Sequence, residues 1–72
     1  MNKDTELKVL NLELEKQNLL IKNISRKINR FERANLLVHN TISQEEIEDL
    51  KLELKTLEIQ KEIIQSKIQD VS

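Results

Sequence analysis

Apolar residues return at intervals of three and four along nearly the whole chain, the spacing that draws one stripe down the face of an α-helix. With Leu7 at heptad position a, the a series reads Leu7, Leu14, Ile21, Ile28 and Asn35, and the d series Leu10, Gln17, Ile24, Phe31 and Val38. Eight of these ten positions are apolar, the pattern of a helix that buries a narrow seam against a partner helix. A second series places Ile47, Leu54, Lys61 and Ile68 at a, with Leu50, Leu57, Ile64 and Val71 at d. The two series are out of phase, because continuing the first would put Ile42 and Asp49 at a. A break in the helix therefore lies between them.

The break falls on His39-Asn40-Thr41-Ile42-Ser43, a run of mediocre helix formers. Ser43-Gln44-Glu45-Glu46 then has the form of a capping box. In it the Ser43 hydroxyl accepts from the Glu46 N–H, and the Glu46 carboxylate reaches back to the Ser43 N–H. Glu45, Glu46, Glu48 and Asp49 crowd the first turns of the following helix, where the helix dipole favours negative charge. The pattern predicts a first helix over about residues 4–38, a loop over about 39–43 and a second helix over about 44–70.

Two helices joined by a short loop fold back on one another, and an antiparallel seam requires each a position to face a d position. Pairs whose residue numbers sum to 85 satisfy that requirement: Val38 with Ile47, Asn35 with Leu50, Phe31 with Leu54, Ile28 with Leu57 and Ile24 with Lys61. The same rule continues through Ile21 with Ile64, Gln17 with Ile68 and Leu14 with Val71. The expected fold is all-α, one antiparallel two-helix hairpin of coiled-coil type over residues 1–72, completing a four-helix bundle by dimerisation. Among the polar seam residues, Lys61 is expected to snorkel, and Gln17 and Asn35 to set register.

In this pairing Leu7 and Leu10 extend past the end of the second helix, without partners. Leu12 and Leu19 on the first helix, and Leu52 and Ile59 on the second, fall at f positions opposite the seam, with Val9, Leu20 and Ile63 nearby. Seven apolar side chains outside the hairpin seam exceed what scattered surface leucines account for. Leu7, Leu10, Leu12, Leu19, Leu52, Ile59 and Ile63 are therefore the candidate surface for self-association or partner binding.

Composition narrows the function more than it names it. The chain has no Gly, Pro, Cys, Trp or Tyr and a single Phe, and 35% of its residues are charged. Lack of Gly and Pro disfavours tight-turned β architectures, and lack of Cys excludes disulfides and thiolate metal sites. No apolar run is long enough to span a membrane; the expected location is the cytoplasm. Twelve basic against 13 acidic side chains leave a net charge of −1, so global charge selects no partner.

Local charge is sorted more sharply. Lys22, Arg26, Arg30 and Arg33 recur at intervals of four, four and three, forming one basic stripe on the outer side of the first helix. Such a stripe suits an acidic protein surface or the phosphates of a nucleic acid. No aromatic is free to stack a base, since Phe31 belongs to the seam. His39 stands alone in the loop, and no Gly-rich phosphate loop, zinc spacing or calcium loop is present. No catalytic residue, cofactor or metal ligand is expected.

In layout, residues 24–59 are similar to the small helical-hairpin phosphatases that act on the aspartyl-phosphate of sporulation response regulators. The Ser-Gln-Glu-Leu-Asp signature of that family meets Lys51-Leu52-Glu53-Leu54-Lys55 here, without its Ser, Gln and Asp, so the layout implies no phosphatase activity. The expectation is a non-enzymatic protein–protein interaction module, a small adaptor, assembly factor or inhibitor that forms a homodimer and binds another protein. The alternative is a nucleic-acid-binding hairpin dimer, which resembles the plasmid RNA-regulating hairpins in architecture.

Overall fold

Both helices begin at a side-chain cap. The Asn2 side chain accepts from the Thr5 N–H at 2.8 Å, with Asp4 and Glu6 in the first turn, so an orphan donor and the helix dipole are satisfied together. Ser43 does the same for the second helix, accepting from the Glu46 N–H at 3.1 Å. The reciprocal bond expected from the Glu46 carboxylate does not form; Glu46 instead borders a hollow with Lys27, Phe31 and Glu53. The computed structural model describes residues 2–39 and 41–72, and Asn40, part of the expected loop, lies outside the described residues. Helices α1 (Lys3–Leu37) and α2 (Gln44–Val71) pack side by side in a rod of 54 × 14 × 14 Å. At 1.5 Å per residue a helix of 35 residues is about 52 Å long, so α1 alone sets the length of the molecule.

The two helices run antiparallel, because Asn35 near the end of α1 touches Ile42 while Gln17, far from the turn, touches Leu57 and Gln60. The α1 helix stops where the sequence lets it. Val38 is extended, with φ −131° and ψ 108°, and its N–H still donates to the Ala34 carbonyl. The connection then folds on short polar contacts. Thr41 Oγ1 donates to the Val38 carbonyl at 2.6 Å. Asn35 clasps Ile42 from both sides: its Nδ2 donates to the Ile42 carbonyl at 2.9 Å and its Oδ1 accepts from the Ile42 N–H at 2.7 Å.

The pairing register differs from the sequence expectation. Gln17 Nε2 donates to the Leu57 carbonyl at 3.1 Å and to Gln60 Oε1 at 3.0 Å, whereas the sum-of-85 rule would set Gln17 opposite Ile68. Eight residues separate Gln60 from Ile68, about 12 Å along a helix. Sliding the pairing by one heptad, to sums of 78, keeps every a opposite a d and puts Gln17 opposite Lys61, within one turn of Leu57 and Gln60. Phe31 then meets Ile47, Ile28 meets Leu50, Ile24 meets Leu54 and Ile21 meets Leu57.

Two further expectations change with the register. Leu10 is 8% exposed, a buried core residue rather than an overhanging one, since Ile68 is now its opposite number. Leu7, opposite Val71, is half-buried. Val38 leaves the seam altogether: it is extended and 64% exposed. The shift is favourable because it gains two apolar layers at the open end, at the cost of a Val38 layer that the helix break had already removed.

The core is narrow. Leu10, Ile24, Ile28 and Ile47 are buried, and Gln17 joins them. Leu14, Ile21, Phe31, Leu50, Leu54, Leu57, Ile64, Ile68 and Val71 are half-buried along the same seam, as two helices cover only one stripe of each other. Gln17 is 6% exposed, and its two hydrogen bonds make its burial tolerable.

Candidate functional site

Each helix of a two-helix rod has a seam face and an outer face, and the seam consumes only a and d. The f positions therefore project away from the partner helix on opposite flanks of the rod. Leu12 and Leu19 lie on the α1 flank, 56% and 63% exposed, and Leu52 and Ile59 on the α2 flank, 68% and 47% exposed. Ile63 is also exposed. Five of the seven residues singled out for an external interface are thus at the surface, while Leu10 and Leu7 serve the hairpin seam. The five do not form one patch: the rod separates the α1 pair from the α2 group.

Other exposed apolar residues extend these faces. Val9 and Leu20 lie beside Leu12 and Leu19 on α1. Leu36, Leu37 and Val38 form an exposed apolar cluster at the turn. In the observed register α2 begins opposite residue 34, so Leu36 and Leu37 project beyond its first turn with nothing to cover them. The sequence assigned Val38 to the seam and passed over its two neighbours. Apolar character alone could not tell a seam residue from an exposed one so close to the break.

The basic residues are placed as their spacing requires. Arg26, Arg30 and Arg33 border one shallow depression together with Asn23 and Asn29, all on the outer side of α1. Lys22 is exposed at the edge of the same face. Lys27 is turned the other way, its Nζ 5.7 Å from the centroid of the Phe31 ring, a cation–π contact one turn along the helix. The ion pair formed among the described residues joins Glu32 to Lys51 at 3.3 Å, with both side chains about half exposed. It pairs the one acid within Lys22–Arg33 with a lysine just after the acidic first turns of α2.

His39 is exposed in the turn. Among the described residues no three His, Asp or Glu side chains group as a metal site, and no helix is long and apolar enough to cross a membrane. Lys61, half-buried in the seam, borders a shallow hollow with Glu58, Glu62 and Gln65, consistent with its stem packing inward. Comparison with protein-family models, curated proteins and solved structures finds no match for the chain.

Proposed function

We propose that the chain is a non-enzymatic protein–protein interaction module, a self-associating helical hairpin of the adaptor, assembly-factor or inhibitor kind. The observation that carries this reading is the exposure of Leu12, Leu19, Leu52 and Ile59 on helix faces that the hairpin seam does not use. Large apolar side chains at regular helical spacing on an outer face favour burial by another surface. A seam this narrow leaves a lone hairpin with little stabilisation to spare. The Arg26, Arg30 and Arg33 face adds a charge preference for an acidic surface.

Sedimentation velocity at micromolar concentration tests the reading. The wild-type chain is expected to run heavier than 8.5 kDa, and Leu19→Lys or Ile59→Lys to shift it towards monomer while circular dichroism still reports helix. A wild-type monomer across the accessible concentration range would overturn self-association. The nucleic-acid alternative draws on the arginine depression. Salt-sensitive retention of arbitrary RNA or DNA at physiological ionic strength, lost in Arg26→Glu/Arg30→Glu, would replace the protein-partner reading with that one.

A further inference from the structure

Each helix carries a second stripe of three-and-four spacing, on the side away from the seam. On α1 it runs through Val9, Leu12 and Leu19 and then through Arg26, Arg30 and Arg33, interrupted by Lys16 among the apolar members. On α2 it runs through Glu45 and Asp49 and then through Leu52, Ile59 and Ile63. These eleven residues and Lys16 are all exposed, and none of their charges takes part in the Glu32–Lys51 ion pair.

The observed register brings the two stripes to the same levels of the rod. By the sum-of-78 rule, Arg33 lies level with Glu45, and Arg30 is within one residue of Asp49. Leu19 lies level with Ile59. Arg26 lies level with Leu52, where an arginine stem can pack while its head reaches acid nearby. The stripes are therefore complementary in two respects: basic against acidic near the turn, and apolar against apolar at the level of Leu19 and Ile59, beyond which Leu12 lies level with Ser66 and Lys16 with Glu62. They cannot meet within one chain, because they face away from each other across the rod.

We propose that the outer stripe of α1 docks on the outer stripe of α2 from a second copy of the chain, with both turns at the same end. The proposal rests on the self-association reading above and specifies which faces meet. Neighbouring helices then run antiparallel across the contact, as they do within each hairpin. The contact is heterologous: each copy uses its α1 face on one neighbour and still presents its α2 face to another. Assembly of this kind continues past the dimer unless the rotation closes a ring, which separates it from a closed four-helix dimer. Matching charge near the turn fixes the order of faces, since α1 on α1 opposes arginines and α2 on α2 opposes carboxylates.

A charge-swap experiment tests the pairing, read by sedimentation velocity with circular dichroism as the control for folding. Near the turn, Arg30→Glu/Arg33→Glu makes both stripes acidic and Glu45→Lys/Asp49→Lys makes both basic, so each variant alone is expected to lose the heavier species. Mixing the two variants, or combining all four substitutions in one chain, is expected to restore them. Arg30→Glu paired with Asp49→Lys alone repeats the test without altering the first turn of α2. If the wild type assembles and the charge-reversed variants assemble equally well, or the swap restores nothing, the stripe pairing is overturned while self-association stands. A wild type that stops at dimer would also overturn it in favour of the closed bundle. A wild type that stays monomeric removes both.

Discussion

Two side chains of similar appearance in the sequence, Ser43 and Asn35, hold the turn with unequal force. Ser43 caps α2 with one exposed hydrogen bond to the Glu46 N–H, and water can replace that bond in part. Asn35 makes two part-buried bonds to both backbone groups of Ile42, and its removal leaves a donor and an acceptor unmatched where water is less available. Ser43→Ala is expected to lower stability by about 0.5–2 kcal/mol. Asn35→Ala is expected to lower it by about 1–3 kcal/mol, with the larger loss of the two. Denaturant midpoints for the two variants check the ranking; a reversed order would mean that the cap, rather than the clasp on Ile42, anchors the connection. The cap was legible beforehand because Ser-x-x-Glu is a local signal. The clasp was not, because a heptad pattern reads Asn35 only as a polar seam position and cannot say which backbone it meets.

At the scale of the helices, the existence, order and antiparallel sense of α1 and α2 follow from apolar spacing, a phase change and a capping residue. Their register does not. A strict seven-residue repeat is degenerate under seven-residue slips, since Ile28 can face Leu50 or Leu57 with no change in which positions are apolar. What lifts the degeneracy lies outside the repeat: the apolar layers gained at the open end, where Leu10 becomes buried, the end of α1 at Leu37, the Asn35 clasp on Ile42 and the long-range Gln17 bond to Leu57. Double-mutant cycles distinguish the two registers. Ile28, 6% exposed, is expected to cost about 2–5 kcal/mol on substitution by alanine. Its coupling to Leu50→Ala is expected at about 0.5–3 kcal/mol, against additivity within about 0.5 kcal/mol for Leu57→Ala. Strong coupling to Leu57 with none to Leu50 would restore the register that the heptads alone suggested.

For the whole molecule the decisive quantity is how little the hairpin covers. Among the described residues four apolar side chains and Gln17 are buried, and the exposed Glu32–Lys51 pair contributes only about 0–1 kcal/mol. The surface ion pair cannot make up for a thin core; burying the outer stripes can, because each fully buried Leu or Ile is worth about 1.5–3 kcal/mol. If copies of the chain cover those faces, folding and association are one equilibrium and stability depends on concentration. A tenfold rise in concentration is worth up to about 1.4 kcal/mol per contact formed. For a domain of this size, where 1 kcal/mol corresponds to about 4–8 °C, that is expected to raise the thermal midpoint by up to about 6–11 °C. Calorimetry over a hundredfold range of concentration checks this. A parallel series at high salt separates the two contributions, since screening weakens the arginine–carboxylate half of the stripe and leaves the leucine–isoleucine half in place. A midpoint that stays fixed with concentration would mean that the seam alone holds the rod, and that its outer leucines stabilise nothing by meeting another copy.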